Sequence, residues 1–269
     1  MWGIVPAAGR GSRIQPLAFS KELLPVGSRS DNGVDRPCAV SEYLLERLIL
    51  GGATKICFVI SPGKSDILEY FGDRYQDAEL AYVVQPRAAG LCDAVFRAAT
   101  VVGDTDDVLV GLPDTVWFPN DALGALPSAE LSFLLFPVEH PEFFDAVVLD
   151  GSEVREIQVK QQDARSNWIW GAFKMSAQGF RDLHRLWKRR DPRDEYFGTL
   201  VNFYLASGGR GIGVKAGESY VDVGTINGYR TAIALLAARD AGEQCARLWA
   251  ASPTELQDAS AHELAGGAS

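Results

Sequence analysis

The stretch WGIVPAAGRGSR at residues 2–13 decides the fold of this chain. Its first part, residues 2–6, is a short apolar run that predicts a buried strand. Its second part, residues 7–13, is a loop of small residues, in which the backbone can approach an anion closely and successive N–H groups can bind phosphate oxygens. A buried strand followed by such a loop indicates an α/β protein with a phosphate site at the end of its first strand.

The glycine loop differs from two common phosphate-binding fingerprints. A Walker A loop closes with Gly-Lys-Ser or Gly-Lys-Thr, and the dinucleotide fingerprint needs a small residue where Arg13 and Ile14 follow Gly11. Arg13 and Lys21 add positive charge close to the loop. Taken alone, the segment fits a phosphate site and a tight strand-to-helix turn with a solvated arginine equally well.

Outward from the loop, strand and helix patterns alternate, which predicts repeated β-α units and a largely parallel sheet. Strands are expected at residues 2–6, 55–60, 80–85 and 107–112, and helices at 38–50, 65–71 and 91–101. After residue 115 strands dominate, at 131–137, 146–149, 154–160, 168–175 and 211–215, which indicates antiparallel additions to the sheet. Helices are expected in this half at 177–188, 196–206 and 227–240.

The chain shows no internal repeat or linker, so residues 1–250 are expected to form one domain. The change of pattern divides it into two lobes of one sheet, residues 1–115 and residues 116–226. Residues 251–269 lack bulky apolar residues and are expected to be a disordered tail. In open α/β sheets, ligands bind outside the carboxyl ends of the strands, so the functional residues are expected there.

Composition argues against several kinds of partner. A net charge of -9 and a pI near 4.9 are atypical of nucleic-acid binding, which needs clustered Lys and Arg. The sequence has no apolar stretch of membrane-spanning length, and its first residues lack the basic region of a signal peptide. The four cysteines are far apart and are expected to be reduced, which favours the cytoplasm.

Motifs at five places follow one another in a fixed order. They are PAAGRGSR with SKELLPV (residues 6–13 and 20–26), VISPGKSDILEYF (59–71), VQPRAAGLCDAV (84–95), VVGDTDDVLVGLPD (101–114) and VDVGTINGY (221–229). Together they resemble the sugar nucleotidyltransferases, namely the bacterial UTP–glucose-1-phosphate uridylyltransferases and the glucose-1-phosphate thymidylyltransferases. The resemblance implies a Rossmann-like three-layer α/β/α fold with a mixed, mainly parallel central sheet. It makes residues 1–115 the nucleotide-binding lobe and residues 116–226 the sugar-phosphate-binding lobe.

The resemblance assigns the nucleotide and metal sites. It implies that the triphosphate and base contacts come from Ala8, Gly9, Gly11, Ser12, Arg13, Gln85, Gly90 and Asp114. Asp114 and Asp222 match the two carboxylates that bind Mg²⁺, an ion for which two carboxylates plus substrate phosphates are sufficient. Arg13, Lys21, Asp114 and Asp222 are therefore the expected catalytic residues. A helix-cap role for Asp222, just before Gly224, stays open.

The sugar-phosphate site is less well matched. The expected contacts are Lys160, Gly171 and Arg193, of which Arg193, just before the helix near Tyr196, is a candidate for a second phosphate contact. Lys160 matches the lysine of the family's Glu-Lys-Pro motif, but Val159 replaces its sugar-contacting glutamate. Trp168 and Trp170 alternate on one predicted strand, so either ring is a candidate wall of the sugar site.

These matches predict a Mg²⁺-dependent enzyme that joins a pyrimidine nucleoside triphosphate, UTP or dTTP, to a sugar 1-phosphate, with glucose 1-phosphate as the first candidate. The expected partners are these two substrates, without nucleic acid or membrane, and the resemblance allows a homo-oligomer. Two alternatives remain: a cytidylyltransferase acting on a phosphorylated alcohol or aminoalcohol, and a catalytically silent nucleotide-sensing homologue. A dinucleotide-dependent reductase is disfavoured because Ile60-Ser61-Pro62 offers no acidic ribose ligand after the second strand.

Overall fold

A computed structural model describes residues 1–190 and 193–250 of the chain, with the backbone alone for residue 31 and residues 240–250. The predicted tail, residues 251–269, lies outside the described residues. The strands are β1 (Trp2–Pro6), β2 (Pro25–Asp31), β3 (Val34–Ala39), β4 (Lys55–Ile60), β5 (Arg74–Tyr75), β6 (Ala78–Val84), β7 (Val108–Gly111), β8 (Thr115–Phe118), β9 (Leu131–Pro137), β10 (Asp145–Asp150), β11 (Glu153–Val159), β12 (Trp168–Met175), β13 (Ile212–Val214) and β14 (Ser219–Asp222). The helices are α1 (Val40–Leu50), α2 (Ser65–Phe71), α3 (Gly90–Arg97), α4 (Ala177–Arg189), α5 (Phe197–Ala206) and α6 (Ile226–Ala250).

One mixed sheet runs through both halves of the chain in the order β10-β11-β13-β9-β12-β7-β1-β4-β6-β5. β7, β1, β4 and β6 are parallel to one another, as the alternating pattern of the first half predicts. β12 continues the sheet antiparallel to β7 and β9, and β10 and β11 are also antiparallel, so the predicted antiparallel additions are confirmed. The sheet is therefore mainly parallel only in its first half.

The three-layer α/β/α arrangement follows from strands whose two faces are both apolar. On β1, Ile4 belongs to a core cluster shared with helices α3, α4 and α5, whereas its neighbour Val5 belongs to a cluster shared with α1 and α2. Cys57 and Phe58 divide between the same two clusters on β4. Because successive side chains of a strand point to opposite faces, helices must cover the sheet on both sides.

Two structural features were not predicted from the sequence. β2 and β3 form an antiparallel hairpin, so the helix expected from residue 38 begins only at Val40. Its turn, Asn32-Gly33, has positive φ angles of 51° and 80°, which is the geometry that favours Asn-Gly in tight hairpins. The second feature is an antiparallel ribbon of β8 and β14, in which Asp222 pairs with Thr115.

Candidate active site

A cleft of about 400 Å³ opens near the ends of the parallel strands, where ligand binding was expected. Both halves of the chain contribute to its walls. The first half provides Arg13, Gly90, Leu112 and Asp114, and the second half provides Asp145, Lys160, Trp170, Tyr196, Tyr220 and Asp222, among others. The cleft therefore has acids and bases at its surface and aromatic rings between them.

The β8–β14 ribbon brings the two predicted metal ligands together. Asp114 immediately precedes β8 and Asp222 ends β14, and the N–H of Val223 donates to the carbonyl of Asp114 at 2.8 Å. A Cβ added to Gly224 would lie 2.8 Å from Asp222 Oδ1 and 3.2 Å from Asp114 Oδ2. Both carboxylates thus face the same small space, although Asp222 lies 108 positions after Asp114 in the sequence.

Two cations complete this cluster. The Lys21 ammonium donates to Asp114, and the Arg13 guanidinium donates to Asp222 at 2.9 Å. The Lys21 and Asp114 side chains are each 13% exposed, whereas that of Arg13 is 62% exposed. The structure therefore brings all four predicted catalytic residues to one place, with a shielded pair and a solvent-facing pair.

Electrostatics keeps the shielded pair ionised. Burial by itself raises the pKa of Asp114, but the charge and hydrogen bond of Lys21 outweigh it and hold that pKa below its ordinary value. For Lys21, burial lowers the pKa, but Asp114 and Glu22 outweigh it, so the ammonium pKa lies above its ordinary value. At neutral pH, Asp114 is a carboxylate and Lys21 a cation.

This donor set fits Mg²⁺. Carboxylate oxygens are the ligands that Mg²⁺ prefers, and it usually takes one or two of them together with substrate phosphates and water. Within the described residues, no group of three or more His, Cys, Asp and Glu forms a closed metal cage. Asp114 and Asp222 therefore suit an ion shared with a substrate better than a permanent structural ion.

The glycine loop is held in place by a buried ion pair that sequence reasoning missed. Lys64, before α2, donates from Nζ to both carboxylate oxygens of Glu22 and to the carbonyl of Ala7, each at 2.7 Å. Glu22 is fully buried. Because Glu22 follows Lys21 in the chain, Lys64 connects the start of the loop to the predicted catalytic lysine. The available signal was that Glu22 and Lys64 both lie in quoted motifs, SKELLPV and VISPGKSDILEYF.

The front of the loop is open to solvent. Gly9 and Ser12 are exposed, and a Cβ added to Gly9 would meet nothing within 4 Å. Ala8 is buried behind them. Gly11 has a φ of 63°, and a Cβ there would lie 2.7 Å from Cδ of Lys21. Gly11 thus leaves room for the lysine stem, and the exposed face of the loop is free to approach a ligand.

Of the two residues predicted to contact the base, Gly90 lies at the surface of the cleft and Gln85 is buried. Gly90 lines the cleft with a φ of 83°, and a Cβ on it would lie 2.6 Å from the backbone of Glu195, so close approach requires glycine there. Gln85 is buried behind it and donates to the Gly90 carbonyl at 3.2 Å and to Asp93 at 2.7 Å. In this arrangement the Gln85 amide supports the turn that presents Gly90.

The predicted sugar-phosphate residues do not all reach the cleft. Lys160 lines it, with Nζ 5.1 Å from the centre of the Tyr196 ring. Gly171 lies behind the wall, where a Cβ would be 2.6 Å from the Tyr220 ring, so it allows that ring to pack closely. The Arg193 guanidinium lies over Trp187, 5.0 Å from its ring centre, beside a separate cavity. The structure therefore does not bring Arg193 to the cleft.

Several lining residues were not predicted. Tyr196 and Glu195 precede α5, Tyr220 lies on β14, and Asp145 begins β10. Trp170, one of the two tryptophans considered, does line the cleft. Nothing in the local sequence distinguishes these residues from core or surface positions, because their meeting depends on which strands pair.

Comparison with known proteins shows the family of this chain. A family model described as Nucleotidyl transferase matches residues 2–239. The chain belongs to the nucleotidyl transferase family. This nucleotidyltransferase is 26% identical over 255 residues to a UTP–glucose-1-phosphate uridylyltransferase of Haloferax volcanii, covering 91% of this chain and 96% of that protein. It is 27% identical over 238 residues to a glucose-1-phosphate thymidylyltransferase of Mycolicibacterium smegmatis, covering 84% and 79% of the two chains.

Solved structures show the same fold at lower identity. The UTP-bound UGPase of Acinetobacter baumannii superposes with a TM-score of 0.70 at 21% identity, over 86% of this chain and 91% of the other. A UDP-glucose pyrophosphorylase in complex with UDP-glucose gives a TM-score of 0.71 at 19% identity, over 88% and 98% of the chains. The resemblance to sugar nucleotidyltransferases and the Rossmann-like α/β fold are thereby confirmed. In the described residues, no helix has the length and apolar character needed to cross a membrane.

Proposed function

We propose that this nucleotidyltransferase transfers a nucleotidyl group from UTP or dTTP to a sugar 1-phosphate, with glucose 1-phosphate as the first candidate, and releases pyrophosphate. Residues 1–115 would bind the nucleotide and residues 116–226 the sugar phosphate, within one domain of residues 1–250. The observation that carries the proposal is the meeting of four residues: Arg13, Asp114 and Asp222 line the cleft, and Lys21 donates to Asp114.

Each member of this cluster has a task in the reaction. A phosphate oxygen of the acceptor attacks the α-phosphorus of the nucleotide in line with the leaving pyrophosphate, and both reactants are anions. Lys21 and Arg13 offset their repulsion and stabilise the charge that moves onto the pyrophosphate. The acceptor phosphate is already a nucleophile at neutral pH, so the reaction needs no activated Ser, Cys or His.

Asp114 and Asp222 would hold Mg²⁺, which when bound neutralises phosphate charge and orients the triphosphate. In the free protein, Lys21 and Arg13 form ion pairs with these two acids. When substrate binds, its phosphates would take the place of the acids as partners of both cations. Cys38, Cys57 and Cys92 are buried free thiols, which supports a place in the reducing cytoplasm.

A second candidate is transfer to a phosphorylated aminoalcohol from CTP. The rings of Trp170, Tyr196 and Tyr220 line the cleft together with the Asp145 carboxylate, and aromatic rings with an acid are features that bind an ammonium group. A silent nucleotide-binding homologue is disfavoured, because it would have no need of a paired acid cluster facing the open glycine loop.

Pyrophosphate release tests the proposal. Purified protein is incubated with Mg²⁺ and each of UTP, dTTP and CTP against glucose 1-phosphate, glucosamine 1-phosphate and phosphocholine. We expect release with at least one pair and its loss on addition of EDTA. Asp114→Asn and Asp222→Asn should each lower kcat by roughly 100-fold or more, since each removes a charge from the reacting centre.

Asp150→Asn is the matched control, because the Asp150 side chain is 69% exposed at the far end of β10 and bonded to Arg155. Its rate should equal that of the wild type. Near-normal turnover in either cleft variant would disprove the metal assignment, and silence of the wild type with every pair would disprove the proposed reaction.

A further inference from the structure

Asp145 is an acid in the cleft that takes no part in the transfer of the nucleotidyl group itself. It is the first residue of β10, and its cross-strand partner is Val159 at the end of β11. A Cβ added to Gly198 of α5 would lie 2.8 Å from Val159 Cγ2 and 3.3 Å from Asp145 Oδ2, so both side chains face the same corner. The corner thus has a carboxylate from β10 although β11 presents only a valine.

The Asp145 carboxylate is only partly compensated in the free protein. Burial raises its pKa to about 6, and the Lys160 ammonium and the neighbouring Trp170 indole N–H offset only part of this effect. The neighbouring Trp170 indole N–H is buried, and within the described residues it has no hydrogen-bond partner of acceptable geometry. A half-buried carboxylate and a buried indole N–H therefore lie side by side in the cleft wall, and the contact between them compensates the burial of the acid only in part.

The position of Asp145 relates it to the reacting end of the cleft. Tyr220 lies on β14, two residues before Asp222, and its ring centre is 5.9 Å from that of Phe144, the residue before Asp145. Tyr220 therefore connects the strand that ends at Asp222 with the start of β10. A small phosphorylated molecule in the cleft would meet Lys160, Tyr220 and Asp145 on the same wall.

We propose that Asp145 binds the acceptor substrate by accepting hydrogen bonds from a hydroxyl or ammonium group of that molecule, and so decides which phosphorylated acceptor is used. The inference rests on the proposed function in so far as the bound molecule is the acceptor of that reaction. The contact between Asp145 and the bound molecule does not depend on the reaction. A carboxylate whose burial is compensated only in part is costly, and a ligand that supplies a further donor gains a charge-assisted bond. An acceptor that lacks a donor at this point covers the acid without compensating it, which is an effective form of discrimination.

The test compares Asp145→Asn and Asp145→Ala with the control Asp150→Asn at the other end of the same strand. Binding of glucose 1-phosphate, glucosamine 1-phosphate and phosphoethanolamine, whose ammonium can donate a hydrogen bond, is measured by calorimetry, and KM is measured separately for acceptor and nucleotide. Asp145→Ala should weaken acceptor binding about 10- to 100-fold, the usual range for a hydrogen bond to a charged group. The KM for the nucleotide should stay within about twofold, because no nucleotide contact changes.

Asp145→Asn separates the two donor classes. An amide can still accept from a hydroxyl, so a hydroxyl-bearing acceptor should lose less affinity with Asn than with Ala. An ammonium-bearing acceptor depends on the charge and should lose as much with Asn as with Ala. Circular dichroism confirms that the variants are folded.

Unchanged acceptor affinity in Asp145→Ala, or an equal rise of both KM values, would overturn the inference. So would a wild-type protein that binds none of the three acceptors. If the wild type binds an acceptor in an Asp145-dependent way but releases no pyrophosphate, the proposed reaction fails and the binding role of Asp145 stands.

Discussion

Replacing Lys64 by methionine should destabilise the protein, because the buried Glu22 carboxylate then loses its cationic partner. Lys64 Nζ donates to both oxygens of Glu22 and to the Ala7 carbonyl, each at 2.7 Å, and Glu22 is fully buried. Methionine fills much of the same volume, so the loss is mainly electrostatic. Glu22 would then remain as an unpaired acid with no route to water.

The expected magnitude follows from these three bonds. Breaking a buried ion pair by removing one partner costs about 3–5 kcal/mol, and the orphaned Ala7 carbonyl adds about 1 kcal/mol. The double variant Lys64→Met/Glu22→Gln removes both charges and should recover all but about 1–2 kcal/mol, because the pair also has a desolvation cost that disappears. Activity should not recover in parallel, since the loop then lacks its anchor at Ala7. A displacement of the loop by about 1 Å would lower kcat roughly 10- to 100-fold.

Urea unfolding followed by tryptophan fluorescence measures the free energy of unfolding of the wild type, both single variants and the double variant, and pyrophosphate release measures kcat. A loss below about 1 kcal/mol in Lys64→Met would refute the reasoning, as would a double variant no more stable than that single variant. Full activity in the stable double variant would show that Lys64 supports the fold without positioning the loop.

Two further predictions concern residues of the second half. Because burial raises the folded pKa of Asp145 from its ordinary value of 3.8 to about 6, the folded state binds an extra proton at this residue between these values, and Asp145 contributes a fall in stability as pH rises from about 4 to about 6. Burial also raises the pKa values of Glu22 and Glu46, so Asp145→Asn should reduce this pH dependence without abolishing it. The variant should raise the free energy of unfolding at pH 7 by about 2 kcal/mol, as measured by urea titration at several pH values; equal slopes in both proteins would contradict the assignment. Arg193→Ala should leave kcat and both KM values within about twofold of the wild type, because this arginine stacks on Trp187 away from the cleft; a rise in acceptor KM alone would return Arg193 to the phosphate site.

Much of the fold was predictable because its signals are local. The first strand, the parallel order of the first half and the helices around 65–71 and 177–188 follow from apolar runs and their periodicity, which are properties of neighbouring residues. The β2–β3 hairpin also has a local signal, Asn32-Gly33, but the polar residues around this turn give no clear strand pattern. The family, too, is readable from motifs in the sequence.

The acid cluster of the candidate site was predicted from motifs, but its geometry was not. Asp114 and Asp222 meet only because β8 and β14 pair as a separate ribbon, and strand pairing between distant segments leaves no mark in either segment alone. The same holds for Lys64 with Glu22 and for Asp145 with Val159.

The sequence by itself determined which residues could bind phosphate and Mg²⁺, since chemistry belongs to the residue types and to the short motifs that contain them. Only the tertiary structure decided which of them share the cleft, placing Asp145 in it and Arg193 outside it. The physical reason is that a side chain's neighbours depend on long-range strand register and helix packing, which are set by the burial of the whole core and not by adjacent residues.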